Sequence, residues 1–286
     1  MSNKVNKNQI IVAVWMVTYN HEDYISRAVE SVMDQKTNFK YKLFIGEDYS
    51  TDNTREICLK LADKYPTKIE LVLQSKNVGG TINANNIYKL CCESGAKYVA
   101  LCEGDDYWTD LLKLQKQVDI FEQINDLSIC FHASFINNIN SARVIKPVNR
   151  NENSYFQTEH VIKYGGGLIP TASMMVKSID LQEILKLHLK SKTAGDLVLA
   201  LYLSTKGQVY YFNEVMSVYT KNNFTSLTNA KRSVIFELKY KYYVFEILND
   251  FNSYTKNKYW LTILRRKMSL FIILLYRLLY LRLFKN

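Results

Sequence analysis

Ile10-Ile11-Val12-Ala13-Val14-Trp15-Met16-Val17-Thr18, followed at once by Tyr19-Asn20-His21-Glu22-Asp23, decides the fold class. The first nine residues are apolar or β-branched, show no helical spacing and are too few to span a bilayer, so they read as a strand buried on both faces. Such strands belong to parallel sheets covered by helices. The next apolar positions, Ile25, Ala28, Val29, Val32 and Met33, fall at spacings of three and four, the stripe of an amphipathic helix. The alternation then recurs: a strand over 41–46, a helix around Ile57, Leu61 and Ala62, a strand over 69–73, a helix over 83–93 and a strand over 97–102. Strands alternating with helices at this spacing imply right-handed βαβ units, hence an α/β, doubly wound, mostly parallel sheet flanked by helices.

Beyond Trp108 the pattern loosens. It predicts a helix over 111–123, a strand over 129–136, a polar loop to about 158, the segment Gly165-Gly166-Gly167-Leu168-Ile169-Pro170-Thr171-Ala172-Ser173-Met174-Met175-Val176, a helix over 197–204 and two strands at 208–212 and 215–219. This second half is expected to complete the same sheet. From about Asn229 the chain reads as helix.

The bulk composition excludes several classes. With 286 residues, 48% hydrophobic and 22% charged, the chain can bury a core and is not disordered; 10 Gly and 3 Pro rule out collagen-like and linker-like sequences. Five cysteines, all in stretches that read as helix or buried strand, argue against a disulfide scaffold and for a reducing compartment, and no CxxC pair suggests structural zinc. The net charge of +10 is not spread evenly. The last 56 residues hold 12 basic and 3 acidic side chains, whereas the other 230 hold 25 and 24, so the excess belongs to the C-terminal segment. The polar start, Met1 to Gln9, gives no secretory signal, and a cytoplasmic protein is expected.

Two acidic turns carry the chemistry. Glu47-Asp48-Tyr49-Ser50-Thr51-Asp52-Asn53-Thr54 begins where a hydrophobic strand ends, the rim at which ligands bind in open α/β sheets. Asp48 there can accept hydrogen bonds from a nucleobase or ribose, while Asp52 and Thr54 can cap the next helix; all of these can equally be caps and turn formers. Glu103-Gly104-Asp105-Asp106-Tyr107-Trp108 places three carboxylates in four residues. Like charges so close repel, and a divalent ion that shares phosphate oxygens relieves them; the alternative is a solvated acidic turn. Neither GxxxxGK[ST] nor GxGxxG is present, which disfavours P-loop enzymes and dinucleotide dehydrogenases. His132, His160 and His188 read as structural, and His21 as a helix-start polar residue.

The series Val17-Thr18-Tyr19-Asn20, Glu47 to Thr54, Asn77-Val78-Gly79 and Glu103 to Trp108, each at a strand end and in this order, resembles bacterial family 2 glycosyltransferases of the GT-A fold, closely over about 10–125 and more loosely to 226. The resemblance implies that Thr18, Tyr19 and Asn20 meet the nucleoside and that Asp48 holds a uracil-type base, with Asn77 in the same binding set. It implies that Asp105 contacts manganese or magnesium, that Glu103 serves the ribose side and that Asp106 supports them. Glu103 stands where the family has Asp, longer but of the same charge. Gly195-Asp196-Leu197 resembles the pair that presents the catalytic base, which would make Asp196 the group that takes the acceptor proton in an inverting transfer; the plainer alternative is a helix N-cap. Val218-Tyr219-Thr220-Lys221-Asn222 stands where the family has Tyr-Arg-x-His. Thr220 and Asn222 depart from it, and Lys221 is the substitute cation for the diphosphate.

Met268 to Phe284 is apolar except for Ser269, Arg277 and Arg282, and follows Arg265-Arg266-Lys267. Seventeen residues make roughly 25 Å of helix, marginal for crossing a bilayer, so an interfacial helix on anionic lipid is expected; the alternative is a helix packed on protein. The domain expectation is a catalytic unit over 1–228, with a nucleotide-sugar half at 10–125 and an acceptor half at 126–228, and a basic, membrane-associating helical extension over 229–286. Implied partners are a nucleotide-sugar donor, a glycan or lipid-linked acceptor and the inner face of the cell membrane, with no nucleic acid. The expected function is an inverting, metal-dependent glycosyltransferase of cell-surface polysaccharide synthesis; the rival is a sugar-nucleotide-binding scaffold without transfer activity, motivated by Thr220 and Asn222.

Overall fold

The computed structural model describes residues 9–137, 143–146, 150–187, 195–220 and 234–284. β1 (Ile10–Thr18) lies inside the sheet, parallel to β2 (Lys40–Glu47) on one side and to β4 (Tyr98–Leu101) on the other, with β3 (Ile69–Leu73) parallel to β2 at the edge. Its residues alternate between two cores. Ala13 and Trp15 face one layer with Phe44, Val99 and Leu101; Val12, Val14 and Met16 face the other with Leu43, Ile45 and Ala100. The continuous apolar run is thus what a strand covered on both faces requires. α1 (Ile25–Met33), α2 (Thr54–Lys64) and α4 (Lys113–Gln123) supply the second layer, and α3 (Gly80–Glu93) the first.

The expectation that the second half completes the same sheet holds, by a route the sequence did not disclose. Among the described residues β5 (Tyr107–Trp108), β6 (Leu127–Asn137), β7 (Arg143–Ile145), β8 (Ser154–Phe156), β9 (Met175–Lys177) and β10 (Gln208–Thr220) join the first four strands in one sheet. Its order is β3-β2-β1-β4-β9-β6-β10-β5, with β7 on β6 and β8 on β10. β9 is antiparallel to both β4 and β6. Three residues after two short 3-10 turns are too few to show a period, so the segment gave no strand signal. The two strands expected at 208–212 and 215–219 are one, β10, whose register against β6 slips between Phe212 and Val215; the break in pattern was a bulge, not a turn.

α5 (Thr158–Tyr164), α6 (Ser178–Leu185) and α7 (Gly195–Leu203) cover the first face. The C-terminal helices α8 (Val234–Tyr254) and α9 (Trp260–Phe284) are separated by a turn in which Lys256 and Asn257 adopt left-handed φ of 50° and 61°. They do not form a core of their own. Val244, Ile247, Leu248, Phe251, Tyr259 and Ile263 join the layer built by Leu197 to Leu203, and the Tyr202 ring meets those of Phe251 and Tyr254 at 5.2 and 4.8 Å. The division expected at 228/229 therefore separates stretches of sequence whose apolar residues pack as one body. Among the described residues no helix is long and apolar enough to cross a membrane.

Ile263, 3% exposed, is the deepest α9 anchor in this layer. Ile263→Ala should cost about 2–4 kcal/mol of stability, the range for a buried aliphatic truncation. A thermal melt checks this, since a loosely attached helix would leave the midpoint unchanged.

Candidate active site

Parallel pairing puts the carboxyl ends of β1, β2 and β4 at one rim, where the loops that follow them are tied together. Asn20, held at φ 54°, receives the Thr51 amide on its Oδ1 (2.9 Å) and donates its own amide to Ser50 Oγ (3.0 Å). The His21 amide donates to Thr54 Oγ1 at 2.7 Å, and Asp52 accepts the amides of Glu22 and Thr54. Asp52 and Thr54 thus fasten loop to loop; the N-cap of α2 is Asn53, without a side-chain cap bond. Glu47 is fully buried, accepts the Ser50 amide and pairs with Arg55, which also donates to the Gln74 carbonyl.

The proposed nucleoside residues occupy different environments. Asp48, 2% exposed, accepts the Val78 amide at 2.8 Å and the Gly79 amide at 3.0 Å, so one lone pair on each oxygen already fixes the 77–79 turn. Asn77 and Tyr19 are exposed and half-buried, respectively. Thr18 departs from expectation: its side chain is 2% exposed and packs beneath Gly104, where an added Cβ would stand 2.8 Å from Thr18 Oγ1. Its carbonyl accepts the Asp48 amide, so Thr18 shapes the rim from below rather than facing a ligand.

Four carboxylates gather above this floor. Asp106, 1% exposed, accepts the Thr220 amide on Oδ1 at 2.9 Å, while its Oδ2 is buried without a partner. Burial, then the charges of Asp105 and Glu103, push the Asp106 carboxyl above its ordinary range. Glu103 is pushed up to about 8 by burial, then by the charges of Asp105 and Asp196. Asp196 therefore lies close enough for its charge to be felt at Glu103. It sits inside the first turn of α7 rather than before it, its Oδ1 accepts the Leu197 amide at 2.7 Å, and burial raises its own affinity for a proton. His21 Nε2 stands 3.9 Å from Asp105 Oδ2, and burial lowers the imidazole's pKa against the opposing pull of Asp105 and Asp52. Lys221 and Asn222 lie outside the described residues.

Among the described residues, no three His, Cys, Asp or Glu side chains form a group that could by itself hold a metal ion. The orphaned Asp106 oxygen and the raised proton affinities of Glu103 and Asp106 nevertheless mark an uncompensated negative field. That fits a divalent ion held by one or two carboxylates and completed by phosphate oxygens.

Sequence reasoning missed two cations. Arg27 of α1 lies 3.6 Å over the Tyr107 ring and lines a cavity of about 140 Å³ with Asp23, Tyr24, Asp105, Asn137 and Thr220. Lys113 of α4 is fully buried beneath the Glu103–Trp108 loop, with its Nζ 2.7 Å from Gln117 Oε1 and 4.0 Å from the Trp108 ring centroid. Burial pushes its ammonium down to about 7. Each sits at a helical spacing where Lys or Arg normally faces solvent, so neither gave a signal. His132 is buried within β6, as its sequence context suggested, and His160 caps α5 by accepting the Gln157 amide.

Residues 13–184 match the family described as glycosyl transferase family 2, and the chain belongs to that family. An uncharacterized protein of Mycobacterium tuberculosis is 39% identical over 121 residues, which are 42% of this chain and 34% of that one, so the chain spans about a third of the length of this relative. The dTDP-rhamnosyl transferase RfbG of Shigella flexneri is 25% identical over 79% of this chain and 77% of its own length. The putative teichuronic acid biosynthesis glycosyltransferase TuaG of Bacillus subtilis is 34% identical over 38% of this chain and 41% of its own. Among solved structures, S. aureus TarS 1-349 in complex with UDP-GlcNAc superposes with a TM-score of 0.65 at 18% identity, covering 84% of this chain and 67% of that one. The fold is the GT-A type that the motif series implied.

Lys113 gives this site a pH signature. An unfolded lysine keeps its proton to about 10.5, whereas the buried one releases it near 7, so between these values the unfolded chain binds more protons and stability rises with pH. Below about 7 the full cost of the buried charge remains. Lys113→Met should remove this rise, whose slope is at most ~1.4 kcal/mol per pH unit. Denaturant melts of parent and variant from pH 6 to 10 check it: parallel curves would show that the amine is not titrating there.

Proposed function

We propose that this protein transfers a sugar, with inversion, from a nucleotide-sugar donor, a UDP-sugar foremost, to a glycan or lipid-linked acceptor in cell-surface polysaccharide synthesis. The observation that carries this reading is that Asp196 comes near enough to Glu103, some ninety residues away in the chain, for its charge to act there, in a family 2 framework. Relatives named for rhamnosyl transfer and for teichuronic acid biosynthesis point to the same class of product.

The proposal gives each residue a role. The tied loops of Tyr19, Asn20 and Asn77, with Asp48 and the Thr18 carbonyl behind them, form the nucleoside seat. Asp105 would hold manganese or magnesium, with Asp106 behind it and Glu103 toward the ribose. Bound there, the ion would offset the charge of the departing diphosphate. Lys221 is the further cation assigned to that diphosphate. Asp196, whose burial raises its proton affinity, accepts the proton of the acceptor hydroxyl.

Two variants separate donor binding from transfer. Asp105→Asn should abolish the manganese-dependent stabilisation of the fold by UDP while leaving the metal-free melt unchanged. Asp196→Asn should keep that stabilisation and lower donor turnover by a factor of about a hundred or more. Full turnover in Asp196→Asn moves the base elsewhere, and a parent that binds donor without ever turning it over is the scaffold of the rival reading.

The same proposal places the protein at the inner membrane face. On α9 the side turned from the core carries Phe271, Ile272, Ile273 and Tyr276, 53–72% exposed, near Arg265 and Lys267. Basic side chains beside such an apolar face suit an anionic lipid surface. Phe271→Glu with Ile272→Glu should weaken co-sedimentation with phosphatidylglycerol vesicles without lowering the melting temperature; equal pelleting would rule out this face as the attachment.

A further inference from the structure

The triple-glycine turn Gly165–Gly167 is enclosed from two sides. A Cβ on Gly165 would stand 3.1 Å from a guanidinium nitrogen of Arg266, and a Cβ on Gly166 would stand 3.1 Å from Asp196 Oδ2. Side chains from α9 and α7, seventy residues apart in sequence, thus lie over adjacent positions of one turn. Any residue with a Cβ at either position would crowd one of the two charged groups, and Gly165 adds a left-handed φ of 66°.

Arg266 is not a surface cation. It lies on the packed side of α9 in the helical stripe that runs from Ile263 to Leu270, half-buried, with Leu197 also against Gly165. Among the described residues no carboxylate comes within ion-pair distance of it, Asp196 included, and the group that bears on its charge is the Tyr240 phenol. Burial lowers its pKa, as expected of a guanidinium withdrawn from water without an anion. Leaving a guanidinium half-desolvated and unpaired costs stability, and its planar fork matches a phosphate in two hydrogen bonds. Successive Cα atoms are 3.8 Å apart and each Cβ stands about 1.5 Å from its Cα, so the guanidinium and the carboxylate lie within about 13 Å of one another, the scale of a diphosphate and one sugar ring.

We infer that Arg266 receives a phosphate of the acceptor, which is therefore a lipid-linked phosphate or diphosphate whose sugar hydroxyl reaches Asp196 while its chain runs along the Arg266 side of α9, past Leu270 and the exposed Ile273. This rests on the glycosyltransferase reading above and names its acceptor class. It also gives α9, which lies outside the family match over 13–184, a part in substrate selection.

Decyl phosphate, decanol and inorganic phosphate serve as probes, with binding read by calorimetry below the micellar concentration. The parent should bind decyl phosphate at least tenfold more tightly than either of the others. Arg266→Gln should reduce decyl phosphate to the level of decanol, and Arg266→Lys should retain part of the difference. Equal affinity of the parent for decyl phosphate and decanol overturns the inference whether or not the variants fold, as does an unchanged decyl phosphate affinity in a folded Arg266→Gln. Phosphatidylglycerol vesicles separate the two sources of phosphate: Arg266→Gln should pellet like the parent, and a loss of pelleting in step with decyl phosphate would make Arg266 a headgroup contact and overturn the acceptor assignment. Manganese-dependent UDP binding by the same samples tests the enzymatic reading separately, so its failure alone refutes that reading and not the phosphate site.

Discussion

Parallel pairing of β1 with β2 and β4 is the constraint from which the site follows. Because all three strands run the same way, their ends deliver Thr18, Glu47 and the loop after Leu101 to a single rim, which brings the acidic turns together. The register is fixed by burial on both faces. A slip of one residue would carry Ala13 and Trp15 into the layer of α1 and α2, and Val12 and Val14 into the layer of α3. Gly104 then sets the height of the Glu103–Asp106 loop, since a side chain there would collide with Thr18.

Three of the five buried polar side-chain atoms left without a partner among the described residues belong to the rim; the other two are His132 Nε2 and Asn252 Oδ1. Thr18 Oγ1, His21 Nδ1 and Asp106 Oδ2 are buried polar atoms without partners, and all three lie within or beneath the acidic loops. Unsatisfied groups of this kind each cost on the order of 1–3 kcal/mol, a cost that packed cores do not normally retain. They cluster around Asp105, with Lys113 buried below, so the rim carries polar groups whose partners the described fold does not itself supply.

Much of this was legible in the residues. The strand–helix alternation through Cys102 and the two acidic turns depend on local pattern, which the chain displays openly, and they appeared where expected. What escaped notice had non-local causes. β9 is a strand because β4 and β6 leave a gap that Met175, Val176 and Lys177 fill, not because three residues have a preference. Lys113 and Arg27 matter because of rings they meet, at Trp108 and Tyr107. Asp48 and Thr18 carried the right residue types for a ligand seat, and no single-sequence pattern encodes that the same groups also fasten the 77–79 turn and pack beneath Gly104. The C-terminal helices looked separable because their charge differs from the rest; their apolar sides pack against α7 all the same.

The position of β9 also governs how the chain is made. β4 leaves its outer edge open until Met175–Lys177 arrives, and β6, synthesised in between, can pair with neither β4 nor β10 at that stage. For some seventy-five residues of synthesis the emerging protein carries an unpaired, apolar strand edge, Val99-Ala100-Leu101, of the kind that recruits other chains into intermolecular sheets. Closure of the sheet is therefore a long-range event, since it waits on a strand some seventy-five residues further along the chain.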